Sequence, residues 1–174
     1  MKITLLTSNK NRHNYLINLL SEASEELFVI QECSTIFPGI IPGHYQASPI
    51  VKKYFDNVNS AQSKFFGNSY VNNLKKNIKI LPMAFGDLNQ CSMHLLSDFL
   101  KSDVYVIFGS SYIKGELVDF LVKEKAINIH AGVSPYYRGT DCNFWALFDS
   151  NPHLVGTTIH LLSKGLDSGP MLYH

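Results

Sequence analysis

Asn128 and His130 stand two residues apart in the run Ala126-Ile127-Asn128-Ile129-His130. Side chains alternate between the faces of an extended strand, so this spacing delivers an amide and an imidazole to one face while Ile127 and Ile129 point to the other. A hydrogen-bonding amide and a titratable imidazole are thus delivered together, and a functional site is expected there. Gly132, Pro135 and Gly139 follow and demand irregular backbone, and loops beyond the carboxyl ends of strands hold the ligands of open α/β sheets. Further on, Asp167 lies in a tight turn bracketed by Gly165 and Gly169. It reads either as a turn carboxylate that caps backbone amides or as a group that orients a histidine. His160 reads either as support for Asp167 or as a core histidine bonded to backbone. A metal site of His130, His160 and Asp167 lacks HExxH-like or CxxC spacing, so no metal is expected.

Elements that can position these groups recur along the chain. Met1 to Thr7 reads as a buried strand, and Ser8 or Asn9 as the cap of a helix with Tyr15, Leu16, Leu19 and Leu20 at helical spacing. The intervening polar turn from Thr7 to His13 fits phosphate through helix amides and Arg12, or is a capped, solvated turn; it has no GxGxxG fingerprint. Leu27 to Ile30 is a second strand. The Pro- and Gly-bearing segment 37–49 is a long loop, and Pro49 to Phe66 is a helix whose Tyr54, Phe55, Val58, Ala61 and Phe65 face the core. A solvated connection over 72–77 leads to a strand from Ile78 to Met83 and a helix from Met93 to Leu100 with Leu95, Leu96 and Phe99 inward. Val104 to Phe108 has the continuous apolar character of a central parallel strand and breaks at Gly109-Ser110-Ser111, a second ligand-facing loop. After a helix from Leu117 to Val122 comes the strand with Asn128 and His130. Asn143 to Phe148 is a short helix anchored by burial of Trp145, Val155 to Leu162 is β-rich, and Met171 to Tyr173 is the last apolar segment. The alternation defines an α/β fold: an open, mostly parallel, Rossmann-like sheet with helices on both faces.

Composition narrows the function classes. At 174 residues, 45% hydrophobic and 17% charged, the chain suits a single domain over 1–174 with a full core. A net charge of +1 without a Lys/Arg block argues against nucleic acid as partner. Cys33, Cys91 and Cys142 are scattered, which points to a reduced, cytoplasmic protein without a disulfide framework. The apolar run Ile3 to Leu6 is too short for a signal-peptide core or a membrane span.

Taken together, Asn128-Ile129-His130, Ser134-Pro135, Arg138-Gly139, Gly156-Thr157-Thr158-Ile159-His160 and Gly165-Leu166-Asp167-Ser168-Gly169 resemble the folate-dependent formyltransferase family. The resemblance is firm from about Val104 onward and topological before it. It implies a formyltransferase core with Asn128, His130 and Asp167 catalytic. N10-formyltetrahydrofolate is then the co-substrate, without metal, held between the loop bearing Phe108, Gly109, Ser110 and Ile113 and the segment bearing Leu161 and Gly165. The loop HAGVSPYYRG and the turn TSNKNRH look more like the branch acting on nucleotide-linked amino sugars than like the leucine-rich loop of the purine and initiator-tRNA enzymes. On that reading Asn9, Arg12, His13, Tyr136, Tyr137 and Arg138 are acceptor contacts, with Arg138 also a candidate loop clamp. The alternatives are a glycinamide ribonucleotide transformylase or formyltetrahydrofolate hydrolase, and a non-catalytic folate- or nucleotide-binding remnant. Family members usually continue past the Asp167 turn, so the resemblance implies a C-terminally shortened domain. Its apolar last strand then favours self-association, and a homodimer is expected.

Overall fold

The computed structural model describes residues 1–35, 48–67, 69–72 and 75–174. The long loop expected over 37–49 lies almost entirely outside the described residues. β1 (Lys2–Ser8) is buried at every position after Lys2, with Ile3, Leu5 and Leu6 in the core and the hydroxyls of Thr4 and Thr7 hydrogen-bonded, as befits a strand covered on both faces. It pairs in parallel with β2 (Glu26–Cys33) on one side and β4 (Val104–Phe108) on the other. β3 (Ile78–Ala84) extends the parallel sheet beyond β2, and β5 (Ile127–His130) extends it beyond β4. β6 (Thr158–Leu161) and β7 (Met171–Tyr173) then run antiparallel, giving the order β3-β2-β1-β4-β5-β6-β7. Strand order reverses between β1 and β4, so the loops leaving their carboxyl ends splay apart and open a crevice there.

Period-two alternation sorts the core onto two faces. Leu5, Val29 and Val106 pack with Ile3, Ile17 and Leu27 on one face. Leu6, Ile30 and Ile107 pack with Leu96, Leu117 and Leu121 on the other. Each fully buried aliphatic side chain contributes roughly 1.5–3 kcal/mol. α1 (Asn11–Ala23) presents His13, Ile17 and Ser21 to the sheet, an i, i+4, i+8 stripe. Leu16 and Leu20 pack partly against the core, whereas Tyr15 and Leu19 turn outward, because the inward stripe runs through Ile17. The cap position is Lys10 rather than Ser8 or Asn9, since β1 runs on through Ser8.

Three other expectations are corrected. α2 (Pro49–Phe66) is formed, with Tyr54, Phe55 and Val58 half-buried and Phe66 against Tyr15 of α1, but Ala61 is exposed and Phe65 is 79% exposed. The segment expected as one helix from Met93 to Leu100 is a single α-turn, α3 (Met93–Leu96), followed by a 3-10 turn, with Leu96 inward and Leu95 exposed. α4 (Gly115–Lys123) crosses back to β5, and α5 (Cys142–Phe148) follows the central loop. Trp145 of α5 is 47% exposed, because Cys142 and Ala146 form the buried side of that short helix. Trp145 instead joins Phe144 and Phe148 in an aromatic group on the surface. Among the described residues no helix is long and apolar enough to cross a membrane.

Candidate active site

β5 presents Asn128 and His130 on one face, as the alternation demands, and the antiparallel register sets Asn128 opposite His160 of β6. Directly opposed residues share a face, and Asn128 Nδ2 lies 3.0 Å from His160 Nε2. His160 Nδ1 donates to the Leu161 carbonyl at 2.8 Å, so in the neutral ring Nε2 is the acceptor for the Asn128 amide.

The turn after β6 brings Asp167 back over this pair. Asp167 takes a left-handed φ of 42°, and Gly169 has no room for a side chain, since a Cβ there would overlap the Leu161 carbonyl. Asp167 Oδ1 accepts from Asn128 Nδ2 at 2.9 Å, and Oδ2 accepts from the Gly139 amide at 2.8 Å. His130 Nδ1 stands 3.3 Å from Oδ2 and His160 Nε2 3.7 Å from Oδ1. The other nitrogen of His130 meets the Tyr137 carbonyl at 3.0 Å. Both nitrogens of His130 therefore face oxygen acceptors, and a doubly protonated ring offers an N–H to each. Ser134 ties the two loops together: its hydroxyl donates to the Asp167 carbonyl and its amide to Thr158 Oγ1.

Charges follow from this packing. Burial by itself raises the Asp167 pKa, but His160, the Gly139 amide and the charge of His130 outweigh it and hold the carboxyl below its usual value. Asp167 in turn raises the pKa of His160 against the opposing effect of burial. Burial, helped by Asp167 and Asp141, pushes the Cys142 thiol up to about 11, so Cys142 is no nucleophile at neutral pH.

The cluster opens into a cleft of about 710 Å³ at the switch point between β1 and β4. Of the residues expected to hold folate, Phe108, Gly109, Ser110, Ile113 and Gly165 line it, while Leu161 serves the sheet behind. Of the expected acceptor contacts, Arg12 and His13 line it together with Lys10. Asn9 spends its amide on Thr35 and Ser34. Tyr136, Tyr137 and Arg138 lie outside the cleft lining, and Tyr137 instead braces His130 through its carbonyl while its hydroxyl bonds Asp149. Sequence reasoning missed Tyr54 and Phe144, whose rings meet edge to face 5.0 Å apart in the cleft wall. Aromatic residues in two separate helices give no sequence signal of meeting.

His13 is 1% exposed. Its Nδ1 accepts from the Lys10 amide at 3.2 Å, which leaves a hydrogen on Nε2, and that nitrogen has no partner among the described residues. Gly109 permits this approach, because a Cβ there would come within 2.5 Å of Nε2. Burial first, then the charges of Arg12 and Lys10, push the His13 pKa down to about 3. Below pH 6.5 the unfolded chain thus takes up a proton that the folded one refuses. Stability is expected to fall with pH between 6.5 and 3, with this group contributing about 1.4 kcal/mol per pH unit. Thermal melts across that range should show a shallower acid slope in His13→Gln; equal slopes would remove His13 as the cause.

An amide, an imidazole and a carboxylate joined in one hydrogen-bonded cluster beneath a switch-point cleft define an α/β protein equipped for acyl-group chemistry. Residues 90–174 match the formyl transferase family. The methionyl-tRNA formyltransferase of Thermosynechococcus vestitus is 36% identical over 73 residues, which is 42% of this chain and 22% of that protein. That of Caldanaerobacter subterraneus is 32% identical over 99 residues, 57% of this chain and 31% of that one. The chain thus matches less than a third of the length of either relative. The fold is that of the phosphoribosylglycinamide formyltransferase of Anaplasma phagocytophilum, with a TM-score of 0.57 at 17% identity over 98% of this chain and 69% of that one. Glycinamide ribonucleotide transformylase 1 of Symbiobacterium toebii superposes with a TM-score of 0.58 at 15% identity, covering 99% and 70%. The second half of the chain is thus similar to the formyl transferases in sequence, and nearly the whole chain shares their fold.

Proposed function

We propose that this chain transfers a formyl group from N10-formyltetrahydrofolate to the amine of a nucleotide-linked amino sugar. The observation that carries the reading is the bonded cluster of Asn128, His130 and Asp167 in a cleft that Lys10 and Arg12 also line. A neutral amine attacks the formyl carbon, and the carbonyl oxygen becomes an oxyanion. His130 and the Asn128 amide are the donors suited to that oxygen. Both amide hydrogens of Asn128 are already engaged, with Asp167 and His160, so the developing oxyanion competes with His160 for one of them. Asp167, directly or through a water, accepts the proton leaving the amine and returns it to the departing folate nitrogen. The C–N bond to N10 breaks as the new amide forms.

The acceptor half rests on the residues after β1. Lys10, Arg12 and the Nε2–H of His13 gather at the N-terminus of the 13-residue helix α1, a combination of charge and donors that suits phosphate. The Tyr54 and Phe144 rings, inclined to each other, add an apolar wall against which a base can pack. Glycinamide ribonucleotide would use the basic end and leave the aromatic wall idle.

A mass-spectrometric assay with N10-formyltetrahydrofolate and a panel of acceptors tests the reading. The panel holds dTDP-, UDP- and GDP-linked amino sugars, glycinamide ribonucleotide, methionyl-tRNA and water. Formylation of one nucleotide sugar is expected to exceed the others by at least about tenfold, since a filled pocket discriminates at that level. Preference for glycinamide ribonucleotide would overturn the acceptor and keep the chemistry. Folate binding without turnover of any acceptor would favour the non-catalytic remnant.

A further inference from the structure

Glu32 is the next-to-last residue of β2 and is fully buried, with no cation bonded to it among the described residues. Three donors surround it instead. Its Oε1 accepts from the Gly86 amide at 2.9 Å and from the Ser111 hydroxyl at 2.9 Å, and its Oε2 accepts from the Ser111 amide at 2.6 Å. A buried carboxylate persists only where donors replace its water, so these bonds hold both the charge and the backbone that supplies them. Ser111 belongs to the stretch between β4 and α4 that has no ladder partners of its own. Its amide would otherwise be an orphan donor.

A second clamp holds the far end of the same stretch. Asn89 Nδ2 donates to the Tyr112 carbonyl at 2.9 Å, and its Oδ1 accepts from the Lys114 amide at 2.8 Å. Held this way, Tyr112 reaches across the cleft and its hydroxyl donates to the Lys164 carbonyl at 2.7 Å. The loop from Gly109 to Ile113 and the turn from Ser163 to Asp167 are the two walls of one end of the cleft. Glu32 stands behind the first wall and is absent from the lining of the cleft.

We infer that Glu32 is a positioning residue for folate: through Ser111 it sets the height of the wall against which the pterin rests. The inference depends on the loop being the folate wall, as the family resemblance implies. Glu32→Gln keeps the volume, but its amide offers one acceptor where amides of Gly86 and Ser111 point at two. One N–H must then face an NH2, and the loop gives way. The variant is expected to raise the KM for N10-formyltetrahydrofolate about tenfold or more, with the acceptor KM unchanged and kcat changed far less. A role in stability alone would lower the melting temperature without separating the two KM values.

Titration with 5-formyltetrahydrofolate, which has no transferable N10 formyl group, comes first. Failure of the wild-type chain to bind it removes the folate reading and this inference with it. Binding by the wild type and equal binding by folded Glu32→Gln overturns the role of Glu32 alone. If Glu32→Gln does not fold, Ser111→Ala removes one of the three donors and leaves the carboxylate in place; a folate Kd raised about two- to fivefold supports the inference, and an unchanged one overturns it.

Discussion

Asp167→Asn is expected to lower kcat about 1,000-fold while the chain stays folded. The carboxylate sits at the centre of the cluster and accepts on both oxygens, from Asn128 on one and from the Gly139 amide on the other. An asparagine in its place has a single oxygen. Whichever way its amide turns, one NH2 meets an N–H donor, of Asn128 or of Gly139, at a cost of about 1–3 kcal/mol. The loss of negative charge also frees His130, whose Nδ1 faces Oδ2 at 3.3 Å, to turn or to change tautomer. Proton relay then ends, because an amide does not accept a proton at neutral pH. Removing a general base and disordering an oxyanion donor each cost about 10²–10³ in rate. Steady-state kinetics of the folded variant, with circular dichroism as control, give the answer. A loss of less than tenfold would reduce Asp167 to a turn carboxylate.

That bland reading of Asp167 was open on sequence grounds, and residue chemistry explains why. The alternation of β5 places Asn128 and His130 together from local pattern alone, since period two leaves no other outcome for a strand. The bracketing glycines mark a tight turn at Asp167, but not its direction. What aims it is the antiparallel return through β6, the overlap that excludes a Cβ at Gly169, and the Ser134 hydroxyl on the Asp167 carbonyl. The strand return and the Ser134 bond join residues far apart in sequence, and the approach of Gly169 to Leu161 closes a turn whose direction no local pattern shows. The apolar strands β1 and β4 were legible for the same reason as β5. The inward face of α2 was not, because apolar spacing says which residues would pack together, not whether a neighbour is there to receive them. Trp145 shows the same limit in a helix too short to bury more than one side.

His13 and Glu32 illustrate what a polar residue in an apolar setting signals. Glu32 stands two residues beyond the apolar run Leu27 to Ile30, and His13 occupies the inward stripe of α1. Each is buried beside a loop that leaves a strand at the switch point. The two differ in how burial is resolved: Glu32 keeps an acceptor role with three donors, whereas His13 is left with a donor and no acceptor. One holds backbone, and the other has an N–H to offer to a bound group. The acceptor reading gives that group as a phosphate oxygen.

Asn128→Asp should lower kcat further than Asn128→Ala does. The alanine variant removes one oxyanion donor, a loss of about 10²–10³. The aspartate variant keeps the shape of the side chain, removes the same donor and sets a second carboxylate where Asn128 Nδ2 lies 2.9 Å from Asp167. Two carboxylates so close do not both ionise freely, and the proton they share has a raised pKa. At neutral pH the ionised pair repels the oxyanion, adding about another factor of ten to the loss. Acid changes the sign of this effect. Below the raised pKa the new carboxyl carries an O–H and becomes a donor again, so kcat of Asn128→Asp, relative to wild type at the same pH, is expected to climb as the pH falls, while that of Asn128→Ala shows no such recovery. Side-by-side pH–rate profiles of the two variants make the comparison. An aspartate variant within tenfold of wild type at neutral pH would mean that Asn128 supplies shape rather than a hydrogen bond, and the oxyanion would then be left to His130 alone.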